Sequence, residues 1–170
     1  MKNSRIPIEL SVQLEEIGEE IRKILKINPE EIIELKSFID KVEENFNMTF
    51  EKSKYNYISF NNGNLIIFYD YYSDKSKYYQ EHFIIKAFCY SILNEAKLEN
   101  NCILCENVIT SDKYTEYLSN SVLLPKKLYL KEMIETSRVD GCANIEGMAK
   151  KFKVKENTIL SRGKALYIWN

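Results

Sequence analysis

Apolar residues near the start of the chain recur at alternating steps of four and three, while charged residues fill the positions between them. The apolar positions are Leu10, Leu14, Ile17, Ile21 and Ile24. This spacing predicts an amphipathic helix of about four turns. The same stripe fits either docking on the rest of the domain or a short coiled-coil seam, and both interpretations stay open.

A second helix is predicted directly after the first. Asn28, Pro29, Glu30 and Glu31 have the pattern of an N-cap, a proline at the first helical position and a capping-box glutamate. The apolar positions that this helix would bury are Ile32, Ile33, Leu35, Ile39, Val42 and Phe46.

From Thr49 onward the apolar period changes from that of a helix to that of a strand. Residues 55–60 alternate, and the turn residues Asn61, Asn62, Gly63 and Asn64 separate them from the apolar run 65–69. Two such runs joined by an Asn-Gly turn predict a β-hairpin.

Helical periodicity returns in the second half of the chain. A helix from about Tyr79 to about Ala96 is apolar nearly all round, which predicts a central position. The segment 102–109 is ambiguous between strand and loop. A helix is predicted over 112–124, where Pro125 ends it, followed by a short helix over 126–136.

The tail 140–168 has the pattern of two short helices joined by a tight turn. Ile145, Met148, Ala149 and Phe152 form one apolar face, and Val154 anchors the turn. This arrangement is typical of a helix-turn-helix. Since no linker or repeat divides the sequence, residues 1–170 are predicted to form a single domain.

Composition excludes several classes of function. The 170 residues carry 24 Lys and Arg against 25 Asp and Glu, so no global positive field favours a polyanion. His82 is the single histidine, which excludes sites built on two imidazoles. Without an apolar span of membrane length, and with four cysteines most simply kept reduced, the chain is expected to be cytoplasmic with no membrane association.

Three stretches of the chain resemble the ImmA/IrrE-type metallopeptidase family. Residues 83–93 resemble its Phe-Thr-Leu-Ala-His-Glu-Leu-Gly-His segment, residues 114–125 its Glu-Ala-Asn-x-Phe-Ala-x-x-Leu-Leu-Met-Pro segment, and residues 148–162 its C-terminal Leu-Ala-x-x-Phe-x-Val-Ser region. The resemblance covers about 29–167, and the helix within 1–28 lies outside it. It implies an α+β fold, mostly helical and zincin-like, with a small β-hairpin or sheet and a helix-turn-helix-like tail.

The resemblance also implies where a zinc site would be, and the residues needed for it are absent. Ala87, Phe88, Ser91 and Tyr114 stand at the positions of the metal ligands and the catalytic glutamate. A methyl group and a phenyl ring cannot bind metal or accept a proton, and a serine hydroxyl is a poor zinc ligand. We therefore expect a pseudoenzyme of this family, with no catalytic residues, metal or other cofactor.

Two groups of side chains remain as candidate binding surfaces. A basic group in the tail is a candidate nucleic-acid or partner patch, with Thr158 and Ser161 as further polar contacts: Lys150, Lys151, Lys153, Lys155, Asn157, Arg162 and Lys164. A tyrosine group around the hairpin is a candidate protein-interaction surface: Tyr55, Tyr57, Tyr71 and Tyr72.

The function expected from these features is regulatory. Because catalytic members of the family act on repressors, often in phage or mobile elements, a relative without the site would bind a repressor-type transcription regulator without cleaving it. The alternative is a DNA-binding transcription regulator that uses the tail. An active metallopeptidase with an unconventional site is the third and weakest alternative.

Overall fold

The computed structural model describes residues 6–72, 77–95, 98, 102–137 and 141–168. The chain divides into two compact units. One unit comprises residues 1–32 and 120–170, and the other comprises residues 33–119. Met1 to Arg5, Ala96 and Asp140, on which parts of the sequence predictions fall, lie outside the described residues.

The described residues form helices and one small four-stranded sheet, and the predicted α+β class is confirmed. The elements are α1 Ile8–Ile24, α2 Leu35–Asn45, β1 Met48–Ser53, β2 Tyr57–Asn61, β3 Asn64–Asp70, α3 Lys77–Asn94, β4 Cys102–Cys105, α4 Glu106–Ser111, α5 Lys113–Leu123, α6 Lys126–Glu135, α7 Ile145–Phe152 and α8 Glu156–Ala165. None of the described helices combines the length and the apolar character needed to cross a membrane.

The start predicted for the second helix is wrong: α2 begins at Leu35 rather than at Pro29. The capping pattern forms a local turn instead, in which Asn28 Oδ1 accepts the Glu30 N–H at 2.9 Å. The Glu31 N–H also donates to the Asn28 carbonyl at 3.0 Å, which closes the turn. The Arg22 guanidinium donates to the carbonyls of Asn28 and Glu31 and holds this turn against α1.

The predicted hairpin is confirmed and lies within a larger mixed sheet. β2 and β3 pair antiparallel from Tyr57 opposite Phe68 to Asn61 opposite Asn64. Asn62 and Gly63 both have positive φ, 51° and 80°, as a type I′ turn requires. The sequence did not predict β1, which pairs parallel with β3, and left β4, which pairs antiparallel with β2, unresolved between strand and loop.

The strand order β1-β3-β2-β4 places the third strand of the sequence between the first two. Since β1 and β2 are consecutive in the chain but not adjacent in the sheet, residues 54–56 must pass over the end of β3. Side chains paired across strands share a face. Ile58 and Ile67 face the core with no exposed surface, whereas Tyr57, Phe68 and Ile103 belong to the opposite, partly exposed face.

The central position predicted for α3 is confirmed. All residues from 83 to 89 are buried, which explains why this helix shows no polar stripe. Phe88 lies at the middle of an aromatic cluster, with its ring centroid 5.5 Å from that of Phe38 and 5.1 Å from that of Phe46. Both contacts are edge-to-face, the arrangement that aromatic quadrupoles favour.

The two short helices predicted in the tail are present as α7 and α8. Asn144 Oδ1 accepts the Gly147 N–H at 2.9 Å and caps α7, and Lys153 ends it in the left-handed conformation. Both helices contribute to a buried apolar core within their unit. Its members are Leu124, Leu128, Tyr129, Met148, Ala149, Phe152, Val154 and Ile159.

Candidate functional site

The positions where the resemblance would place a zinc site are filled by packed side chains. Ala87 and Phe88 have no exposed surface, and Ser91 retains 1%. The Ser91 hydroxyl donates to the Ala87 carbonyl at 2.9 Å, one helical turn earlier on α3. Tyr114, on α5, is half-buried with Lys113 Nζ 5.0 Å from its ring centroid. Within the described ranges, no three His, Cys, Asp or Glu side chains are grouped as metal ligands.

The cysteines are free thiols in separate environments. Cys89 is fully buried on α3, and burial raises the pKa of its thiol because the thiolate would lose its hydration. Cys102 and Cys105 lie on β4, where residues three apart point to opposite faces of the sheet. Their spacing therefore does not form a chelating or redox-active pair.

The basic patch predicted in the tail is only partly assembled on the surface. Lys150, Lys155, Asn157 and Lys164 are exposed, and Lys153 is half-buried. Lys150 binds Glu146 at 2.7 Å. Lys151 is also exposed and binds the buried Glu132.

Arg162 does not belong to that surface. Its side chain has no exposed area, its Nε donates to the Leu124 carbonyl at 2.9 Å, and both Nη groups bind the Glu15 carboxylate. Thr158 is also buried, with 5% of its surface exposed. The placement of Arg162 and Thr158 as surface contacts is therefore corrected. Nothing in the sequence around Arg162 indicates that its partner is Glu15, near the start of the chain.

The tyrosine group separates into two clusters. Tyr71 and Tyr72 are 51% and 69% exposed and meet edge-to-face with ring centroids 5.7 Å apart. Lys52 Nζ lies 3.8 Å from the Tyr71 ring centroid, a cation–π contact. Tyr55 and Tyr57 instead line a groove beside residues 54–56, the segment that passes over the end of β3. Tyr57 stacks on Phe68, with ring centroids 4.4 Å apart.

This groove, which we call the crossover groove, has a volume of about 880 Å³. It forms where the segment 54–56 passes the end of β3 and meets β4 and the start of α4. Its lining residues are Lys54, Tyr55, Asn56, Tyr57, Asp70, Ile103, Cys105, Glu106, Asn107 and Thr110. Lys54 contributes one positive charge, and Asp70 and Glu106 contribute carboxylates, so the groove combines apolar, polar and charged surface.

Two buried polar residues fix the inner wall of the crossover groove. Asn56 and Asp70 expose only 5% and 4% of their surface. The Asp70 N–H donates to Asn56 Oδ1 at 2.6 Å, and the Tyr72 N–H donates to Asp70 Oδ1 at 3.2 Å. These bonds tie the crossing segment to the end of β3. The Asn56 Nδ2 atom is buried with no hydrogen-bond partner among the described residues.

The rim of the crossover groove is apolar on two sides. Tyr55 is 74% exposed and Ile103 is 67% exposed, so two large side chains present apolar surface beside the groove. The sequence pointed to Tyr55 and Tyr57 because tyrosines are concentrated around the hairpin. It missed Asn56, Asp70 and Ile103, because their proximity depends on the pairing of β2 with β3 and β4.

No protein-family model, curated protein or solved structure matches the chain.

Proposed function

We propose that the chain is a regulatory, protein-interaction domain: a catalytically inactive relative of the ImmA/IrrE-type peptidases that binds a partner protein through the crossover groove. The observation that carries the proposal is the pair of highly exposed apolar side chains, Tyr55 and Ile103, that border this groove. Tyrosine and isoleucine at the centre of an interface bury large areas, and tyrosine also offers a hydroxyl for hydrogen bonding.

The packing of α3 supports binding without hydrolysis. A zinc-dependent peptidase needs an open coordination position and a general base beside the bound water. Phe88, which the resemblance aligns with the base, is a fully buried ring in contact with Phe38 and Phe46. We infer that the partner, a repressor-type transcription regulator, is retained intact.

The DNA-binding alternative has weaker support. Among the tail residues assigned to that role, Arg162 and Thr158 are buried, and Lys150 and Lys151 have acidic partners. Lys155, Asn157 and Lys164 are exposed. A short duplex titrated at several salt concentrations separates the two proposals, because duplex binding would weaken steeply as salt rises.

The protein-binding proposal is tested by site-specific photo-crosslinking. A photoreactive phenylalanine replaces Tyr55 in one protein and Tyr167 in a control, since Tyr167 is a tyrosine of comparable exposure, 50%, outside the groove. In a lysate of the source organism, we expect a repressor-type regulator to be captured, uncleaved, from position 55 only. The substitution Ile103→Asp should abolish that capture. Equal capture from both positions, or cleavage of the captured protein, would contradict the proposal.

A further inference from the structure

The two outer strands of the sheet, β1 and β4, each have one edge without a neighbouring strand among the described residues. A free edge presents main-chain N–H and C=O groups that can pair with another chain. At β1 one of these groups already has a partner, because the Phe50 N–H donates to Glu43 Oε1 of α2 at 2.9 Å. A side chain therefore occupies a position that an added strand would need.

The register of the hairpin shows which groups of β4 face outward. In an antiparallel pair, hydrogen-bonded and non-hydrogen-bonded positions alternate. Asn61 and Asn64 flank the two-residue turn and form a hydrogen-bonded pair. Since every second residue of β2 then bonds to β3, Ile58 turns its main-chain groups toward β4, where it is paired with Leu104. Ile103, the neighbour of Leu104, must therefore direct its N–H and C=O away from the sheet.

Ile103 is an open position at this edge. Its N–H and C=O have no hydrogen-bond partner within the part of the chain that the structure describes. The residue is 67% exposed, so its surroundings leave room for another chain. The edge of β4 thus offers a main-chain donor and an acceptor at Ile103, whereas the edge of β1 has a donor bound by Glu43.

The crossover groove adjoins this edge. Ile103 and Cys105, two residues apart on β4, both line it, together with Tyr55 and Tyr57. The side chains of an added strand would alternate between the two faces of the sheet, so every second one would lie on the side of the groove. The exposed surface of Tyr55 and Ile103 favours apolar side chains at those positions.

We propose that an extended segment of the partner protein binds as a fifth strand at the edge of β4, with apolar side chains at alternate positions beside the crossover groove. The main chain of the segment exchanges hydrogen bonds with the N–H and C=O of Ile103. Addition of a strand to an open sheet edge is a recurring mode of peptide recognition. The inference rests on the proposed function, because it names the part of the partner that the groove recognises.

The length of β4 makes this edge selective. The strand has four residues, so its main chain forms few hydrogen bonds with an added segment. Main-chain bonds contribute affinity in this mode, and the side chains at alternate positions determine which sequences bind. We therefore expect the edge to bind particular peptides rather than any extended chain.

The test uses a phage-displayed library of random peptides, each about ten residues long and so sufficient for one strand, selected against the full chain. A selected peptide is then synthesised and titrated against two variants. Ile103→Pro removes the outward N–H, and Ile103→Val keeps it with a side chain of similar size. Proline is tolerated at an edge position whose N–H faces solvent, so both variants should fold. We expect Ile103→Pro to weaken peptide binding about tenfold and Ile103→Val to change it less than about twofold.

Amide hydrogen exchange in the unsubstituted chain gives a second readout that does not depend on a variant. We expect the Ile103 amide to exchange rapidly in the free protein and slowly with the peptide bound. The Leu104 amide, which faces β2, is the internal control and should be protected in both states.

The outcomes separate this inference from the proposed function. The absence of any selected peptide, equal binding by the two variants, or unchanged exchange at Ile103 would overturn strand addition, even if crosslinking from position 55 captured a regulator. Peptide binding that Ile103→Pro weakens, without capture of a regulator, would support strand addition and refute the proposed partner. Self-association in sedimentation experiments that Ile103→Pro abolishes would overturn the assignment to a partner, since a second copy would then occupy the edge.

Discussion

Arg162 on α8 and Glu15 on α1 form a buried, bidentate ion pair between residues 147 positions apart in the sequence. Nη2 of the arginine binds Oε2 of the glutamate at 2.7 Å, and Nη1 binds Oε1. The arginine side chain is fully buried, and the glutamate side chain is 19% exposed. Together with the bond from Arg162 Nε to the Leu124 carbonyl, this pair joins the two ends of the chain within one unit.

Removing Arg162 should destabilise the protein strongly. In Arg162→Met the Glu15 carboxylate and the Leu124 carbonyl lose their donors in a mostly buried environment. We expect the free energy of unfolding to fall by about 3 kcal/mol, measured by urea denaturation. Lys164→Met changes an exposed cation on the same helix and should have little effect. If the two variants lost equal stability, the structural role of the pair would be wrong.

Gly18 is required on α1 because the helix contacts Ser121 at this position. A β-carbon on Gly18 would lie 2.2 Å from Ser121 Oγ. Although alanine favours helices over glycine, we expect Gly18→Ala to cost about 1–3 kcal/mol through overpacking. Adding Ser121→Ala removes the closest atom and should restore part of the loss in thermal melts. A stabilised Gly18→Ala single variant would contradict this close packing.

Cys89 should make the protein less stable at alkaline pH. Burial raises the pKa of its thiol in the folded state, whereas the unfolded thiol ionises near pH 8.5. Above that value the unfolded state binds fewer protons than the folded state, so the stability contributed by Cys89 falls by up to about 1.4 kcal/mol per pH unit.

The measurement is urea denaturation between pH 8 and 9.5. Cys89→Ala should flatten the decline in unfolding free energy, while Cys142→Ala, at an exposed thiol, should leave it unchanged. An unchanged slope in Cys89→Ala would show that this thiol does not govern the pH dependence.

Phe88 should be among the residues on which the stability of its unit depends most. Phe88→Ala would leave a cavity between Phe38 and Phe46, with an expected cost of about 3–5 kcal/mol. Phe60, half-buried on β2, provides a phenylalanine control with a smaller expected loss. Comparable losses from the two substitutions, measured by denaturant unfolding, would mean that the cavity at Phe88 collapses.

Periodicity predicted the elements whose partners are close in sequence. The Asn62–Gly63 turn needs only positive φ at two residues, and α3 needs only a run of apolar residues. Pairing over long distances was harder to predict. β1 is recognisable only once β3 is placed beside it. The capping pattern at 28–31 formed a turn bound by Arg22 of α1 rather than the start of α2, and the sequence gives no sign of that partner.

The candidate sites follow the same distinction. Tyr55 was predicted because its residue type indicates an interface, whereas Asn56 and Asp70 became candidates only when the strand order brought them together. Arg162 was misplaced for the converse reason. A basic residue in a basic segment suggests a surface position, and its acidic partner lies near the other end of the sequence.

Ala87, Phe88 and Ser91 are packed side chains at the positions where the proposed relationship to the metallopeptidases would put a zinc site. The most direct measurement is the zinc content of the chain purified without chelator and without a histidine tag, together with its melting temperature with and without added zinc. We predict zinc far below one equivalent and no change in melting temperature. One equivalent of zinc with a raised melting temperature would contradict the account, since a metal that binds the folded state stabilises it.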